Sequence, residues 1–348
     1  MINLKPKFDF DDILIVPKKK THIASRYKGI ILSKSLPLFT APMDTVVNLD
    51  NMYNFMENGI GVTLPRTIKP DKYHLVPKKV FVSMGFDNLN FELKTNLRNL
   101  PNELHVIIDI ANGHMQKLFD YCKKIKKLRP DIVLMVGNIG NPETYLWYAK
   151  STNVDYIRVG IGNGGGCLTT KQSGVGYPMA SLINATYEVK KKFIKENPDK
   201  KAPAIVADGG MKDHSDIIKS LALGADYVMI GSIFNQALES CAKNYLYGVK
   251  INKYLARYLF NKGYPVKKYF RGMSTKAAQK AMGKTSFKTS EGVVRYRKVE
   301  YHLNGWVENF KHYLRNAMSY SNTQTLDKFV GKIEFCQITT RAYDRFNK

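Results

Sequence analysis

Short apolar runs recur along the first two-thirds of the chain, each closed by a turn and followed by a longer stretch with helical spacing. They lie at residues 38–41, 61–64, 80–83, 105–109, 132–137, 155–160, 204–208 and 227–231. These runs are continuously aliphatic or β-branched rather than alternating, the pattern of strands covered on both faces of a parallel sheet. Between them, residues 115–128 and 179–194 carry apolar positions at helical spacing. Asp213 or Ser215 can cap a further helix that Gly224 stops. Eight strand–helix units predict a (β/α)8 TIM barrel, because a doubly wound open sheet usually ends at about five to seven strands. The barrel core spans about 36–245, with its eighth helix at about 304–320. Residues 265–301, rich in Gly, Ser, Thr and Lys and strand-like at 293–299, predict a flap over the mouth within a single catalytic domain.

Composition narrows the classes. The chain has 348 residues, 44% of them hydrophobic and 24% charged, a globular balance that excludes wholesale disorder. Four scattered cysteines without a CxxC pair argue against a disulfide scaffold or a structural zinc site. Cys122, Cys241 and Cys336, in helical or terminal contexts, read as packing residues. With no signal-peptide pattern and no long apolar run, the expected compartment is the cytoplasm and no membrane partner is expected. The net charge of +25 is spread in short lysine clusters without a basic tail, so it reads as solvated surface with non-specific polyanion affinity.

In such barrels the active site lies at the C-terminal strand ends. Asp44, Asp109, Asn138, the loop 160–167, Asp208-Gly209-Gly210 and Gly231-Ser232 all fall there. The loop Gly160-Ile161-Gly162-Asn163-Gly164-Gly165-Gly166-Cys167 frees the backbone around one cysteine, a candidate nucleophile, with Thr169 two residues on to handle its proton. The other reading is a glycine loop holding an incidental thiol. Gly209, Gly210, Gly231 and Ser232, after strands seven and eight, suit a phosphate held by backbone N–H groups, while Asp208 suits ribose hydroxyls.

These residues resemble the IMP dehydrogenase/GMP reductase family through most of the chain. The resemblance is carried by the stretch 8–17 (FDFDDILIVP), Ala41-Pro42-Met43-Asp44-Thr45-Val46, the cysteine loop running to Gly174-Val175-Gly176-Tyr177-Pro178, Asp208-Gly209-Gly210, Gly272-Met273-Ser274 and Ser290-Glu291-Gly292. There is no room for the CBS modules usual in the dehydrogenases. The flap before Glu291 also lacks their Arg-Tyr pair, and Ser25-Arg26 fits the reductase branch. The resemblance therefore implies NADPH-dependent reductive deamination of GMP to IMP, with Cys167, Thr169 and Glu291 catalytic. It places Asp208, Gly209, Gly210, Gly231, Ser232, Gly272, Met273, Ser274, Lys288, Ser290 and Gly292 on the nucleotide. It also places Ser25, Arg26, Asp109, Ile110, Ala111 and Met273 on the cofactor. A tetramer and a potassium ion held by the carbonyls of Gly162, Gly164 and Cys167 are implied as well. The chain departs from the family at Leu64-Pro65-Arg66, at Lys288 in place of an arginine, and at 316–320. A dehydrogenase without CBS modules, a reductase of a modified purine nucleotide and a non-catalytic nucleotide- or nucleic-acid-binding barrel remain the alternatives.

Overall fold

The computed structural model describes residues 5–86, 89, 104–283 and 292–346. The eight apolar runs form eight parallel strands: β1 Leu38–Thr40, β2 Thr63–Leu64, β3 Phe81–Met84, β4 His105–Asp109, β5 Val133–Ile139, β6 Tyr156–Val159, β7 Ala204–Asp208 and β8 Tyr227–Ile230. From β2 to β7 each pairs with the next in sequence, and β8 pairs with β1. A parallel bridge between Phe39 and Gly61, with N–H···O contacts of 2.9 Å in both directions between β1 and Gly61, joins β1 to the approach of β2 and closes the barrel. Inward-facing Phe39, Phe81, Ile107, Met135, Val206 and Met229 fill its interior as one packed layer. The Phe39 and Phe81 rings meet edge-to-face at 5.7 Å.

The wall helices include α1 Met52–Glu57, α2 Gln116–Leu128, α3 Pro142–Ser151, α4 Met179–Glu196, α5 His214–Leu223 and α6 Leu303–Tyr320. Asp213 caps α5 by accepting the Asp216 N–H at 3.0 Å, and Gly224, at φ 119°, ends it in the left-handed conformation. The N-terminal run packs across the start of α4. The Asp9 carboxylate accepts the Met179 and Ala180 N–H groups at 3.3 and 3.4 Å, and Ser181 Oγ accepts the Phe8 N–H at 2.8 Å. An acid at a helix N-terminus satisfies donors that the helix itself leaves unpaired.

After β8 the chain builds a four-stranded antiparallel sheet from β9 Asn244–Leu246, β10 Val249–Ile251, β11 Lys267–Arg271 and β12 Val294–Lys298, in the order β10-β9-β11-β12. The strand-like pattern at 293–299 is thus β12. The sheet, however, begins at Asn244, inside the span that the pattern assigned to the barrel, because the β9–β10 hairpin is too short to announce itself by periodicity. Ile13–Ile15 and Phe335–Gln337 form a separate antiparallel ribbon. Cys122 is buried packing, as its helical context predicts. Cys336 corrects that expectation: it is exposed on the ribbon. Cys241 lies outside any helix, and its thiol donates to the Asp44 carbonyl at 3.3 Å. Among the described residues, no helix is long and apolar enough to cross a membrane.

Candidate active site

A cavity of about 710 Å³ opens at the C-terminal strand ends, within the size range of small-molecule sites. The loop after β6 forms one side of it, and Cys167 is half-buried there. The thiol donates to Thr169 Oγ1 at 3.2 Å. A backbone turn, Cys167 N–H to the Gly164 carbonyl at 2.9 Å, fixes the loop around the sulfur. The small sheet reaches the same point. Gly292 bridges Cys167 as an antiparallel pair, and Val293 N–H donates to the Gly166 carbonyl at 3.1 Å. Gly209 lies at φ 89°, where a Cβ would come within 2.9 Å of the Gly164 nitrogen. Only glycine lets the loop after β7 lie this close to the cysteine loop.

Beneath the cavity runs a chain of charges. The Arg158 side chain, 6% exposed, forks between two carboxylates, donating from Nη1 to Asp109 Oδ1 and from Nη2 to Asp208 Oδ2, each at 2.7 Å. Asn138 Nδ2 donates to the same Asp208 oxygen at 2.8 Å, and Arg66 approaches Asp109 Oδ2 at 3.1 Å. Burial pushes the Asp109 carboxyl up, but the Arg66 and Arg158 guanidinium groups outweigh it and hold the group below the usual carboxylate range. At the other edge, Arg271 of β11 forms a bidentate pair with the Asp44 carboxylate, tying the small sheet to the loop after β1.

The structure brings Cys167, Thr169, Asp208, Gly209, Gly210, Gly231, Ser232, Gly272, Met273 and Ser274 to the one cavity, together with Asp109, Ala111, Gly162 and Gly164. Gly292 joins them through Cys167. Within the described residues, no hydrogen bond occupies the N–H groups of Gly209, Gly210 or Gly231, so all three can serve an anion. Asp208 Oδ2 is taken by Arg158 and Asn138, and Oδ1 is left to accept. Three expected contacts are not brought there. Ser25 and Arg26 sit away from the cavity, where the Ser25 carbonyl accepts Gly29 N–H at 2.7 Å and Arg26 donates to Asn316 on α6 at 2.8 Å. Ile110 is tied by its backbone to Gly137 and Asn138, at 3.0 and 2.7 Å. Glu291, Lys288 and Ser290 lie outside the described residues. Arg66 and Arg158 are the functional residues the sequence reading missed. A buried arginine within an apolar strand was the available signal for Arg158.

A family model described as IMP dehydrogenase / GMP reductase domain matches residues 96–345. The chain belongs to this family. It is 28% identical over 342 residues to a protein named GMP reductase from Streptococcus pyogenes serotype M4 (strain MGAS10750), covering 94% of each chain. It is 30% identical over 258 residues to the GMP reductase of Streptococcus suis (strain 05ZYH33), covering 70% of this chain and 74% of the relative. Membership in the IMP dehydrogenase/GMP reductase family makes the chain an oxidoreductase of that group. For a nicotinamide dinucleotide, the cavity wall offers Ala111 and Met273, while Asp109 is already committed to two arginines. For a monovalent cation, the donor set is compatible. No described hydrogen bond uses the Gly162 or Cys167 carbonyl, and Gly164 keeps one lone pair beyond its turn.

Proposed function

We propose that the chain is a GMP reductase, converting GMP to IMP and ammonia with NADPH as the reductant. The observation that carries this reading is the Cys167 thiol donating to Thr169 Oγ1 at 3.2 Å on the cavity floor, beside unoccupied backbone donors and the open Asp208 Oδ1. The resemblance of the whole chain to proteins named GMP reductase supports the purine.

In this mechanism the Cys167 thiol proton passes to Thr169 Oγ1 as the Thr169 hydroxyl hands its own proton to the Glu291 carboxylate, and the Cys167 sulfur bonds to purine C2. The bond from C2 to the exocyclic nitrogen then breaks, and the nitrogen leaves as ammonia with protons relayed by Thr169 and Glu291. A thioimidate on Cys167 remains. NADPH, when bound, supplies hydride to C2. The C2–sulfur bond breaks, the electron pair returns to sulfur, and Cys167 is restored as IMP leaves. Gly209, Gly210, Gly231 and Ser232 hold the phosphate, and Asp208 Oδ1 accepts from the ribose. Gly272, Met273, Ser274 and Gly292 serve the base side, and Lys288 and Ser290 are assigned to the nucleotide by resemblance alone. Ser25, Arg26, Ile110, Ala111 and Met273 are assigned to the cofactor by resemblance alone. Asp109 acts by holding Arg158 and Arg66 in place. The same reading carries a potassium ion on the Gly162, Gly164 and Cys167 carbonyls, a homotetramer and a cytoplasmic location.

Two incubations test it: GMP with NADPH, followed by ammonia release, and IMP with NAD, followed by NADH formation. Ammonia release in the first with no NADH in the second is the expected result. The reverse outcome assigns the dehydrogenase reaction, and neither activity overturns both.

A further inference from the structure

The net charge is not evenly spread over the structure. Residues 243–283 and 292–301 carry 13 Lys and Arg against a single acid, Glu300, which is nearly half of the chain's excess of +25. These residues make the four-stranded sheet and the helix Lys253–Asn261 that follows β10. Pairing fixes which of their side chains share a face. Lys250, Tyr245, Lys267 and Lys298 stand directly opposite one another across all four strands. Tyr269 and Tyr296 form the next row on that same side, two residues along.

Burial alternates accordingly. Lys268 and Phe270 face inward and are buried, whereas Lys267 and Lys298 are exposed. The Tyr296 ring, 55% exposed, meets the half-buried rings of Tyr245 at 5.0 Å and Tyr269 at 5.9 Å, so three tyrosines cluster on this face with Tyr296 outermost. Among the described residues, Lys250, Lys267 and Lys298 make no ion pair. Directly opposed like charges destabilise a strand pair, so a lysine ladder around an aromatic cluster is costly as a mere solvated face.

We infer that the outer face of this sheet binds single-stranded nucleic acid, bases stacking on Tyr245, Tyr269 and Tyr296 and phosphates meeting Lys250, Lys267 and Lys298. Charge complementarity selects a polyanion. The aromatic cluster selects a single strand, because bases inside a duplex have no free face to stack. The inference does not depend on the reaction assigned to the cavity, since none of these six residues lines it.

The test is fluorescence anisotropy of the full chain with labelled oligo-dT and oligo-rU of about 20 nucleotides, and with a duplex of equal length. Tighter binding of the single strands than of the duplex is expected. Tyr296→Ala should weaken the single strand about tenfold, a typical stacking loss, and leave the duplex unchanged. The double variant Lys267→Gln with Lys298→Gln removes opposed like charges, so its thermal midpoint should hold or rise. Its log–log salt slope should shrink by about 1.4, from about 0.7 per lost phosphate contact. Absence of binding, equal affinity for the duplex, or single-strand affinity unchanged in both variants would overturn the inference. So would a sedimentation shift in the lysine variant without any nucleic-acid affinity, which would make this face a contact between copies of the chain.

Discussion

Replacing Arg158 by methionine tests the charge network under the cavity. The side chain of similar length removes the fork that serves Asp109 and Asp208 and leaves two half-buried carboxylates short of a partner. Deleting one member of a buried ion pair costs about 3–5 kcal/mol. Arg66 still faces Asp109 at 3.1 Å and Asn138 still donates to Asp208 at 2.8 Å, so the lower end applies. For a chain of this size about 3 kcal/mol lowers the thermal midpoint by roughly 4 °C. The pH dependence carries the mechanism. In the native protein Asp109 titrates below its unfolded value, so its stabilisation is present above about pH 3.9 and is lost as pH falls through the lower folded value. Without Arg158, burial is opposed at Asp109 by Arg66 alone, so the folded carboxyl titrates higher than in the native protein and its ionisation contributes less stability as pH rises. The variant's deficit should therefore be larger at about pH 7.5 than at about pH 5. Arg158→Lys keeps the charge but cannot fork, and should fall between the two. The assay is the thermal midpoint of all three proteins at both pH values. A deficit of the same size at both would show that Arg158 matters only as packing, and no deficit would refute the network.

The proposed chemistry yields further expectations. Cys167→Ser should lose turnover at least about 10²-fold while isothermal titration still shows GMP binding, since the phosphate and ribose contacts sit on other loops. Guanosine should be turned over far less efficiently than GMP, because phosphate binding energy positions C2 for attack; comparable kcat/KM values would remove the glycine anchor. Gly209→Ala forces a side chain into a left-handed conformation and against Gly164, so kcat/KM should drop with only about 1–2 kcal/mol of stability lost, read by urea unfolding beside steady-state rates. Glu291→Gln should slow ammonia release about 10²–10⁴-fold yet spare nucleotide affinity; a raised dissociation constant with equal losses in both half-reactions would make Glu291 a binding residue.

The barrel was legible because its strands are buried on both faces, so each is announced by an uninterrupted apolar run. The residues 105–109 and 204–208 return as β4 and β7 without a shift in bounds. The loops proposed for the phosphate were legible as cavity walls for a related reason: Gly209 and Gly231 stand at strand ends, and strand ends of a barrel converge on one place. Long-range polar partnerships were not. Arg158 and Asp208 are 50 residues apart, and Arg271 and Asp44 are 227 apart, with no local pattern linking either pair. Asp109 and Asp208 each looked like a free carboxylate, and only the fold shows one guanidinium spanning both. Likewise, the lysines of 250, 267 and 298 read as scattered in one dimension and form a single row once the strands pair.

Two of the joints between the small sheet and the barrel mouth differ in physical character. Arg271 is held to Asp44 by a bidentate charge pair on the β1 side. One residue later, Gly272 N–H donates to the Val293 carbonyl at 3.1 Å, while Val293 N–H donates to Gly166 beside the thiol. Gly272 and Val293 are thus joined to each other beside the cysteine loop, which Val293 reaches through Gly166. Gly292, next to Val293, is the bridge partner of Cys167. Contacts of this kind are main-chain bonds, which side-chain substitutions leave in place, so the small sheet keeps its place beside the Cys167 thiol even where the Arg271–Asp44 charge pair is removed.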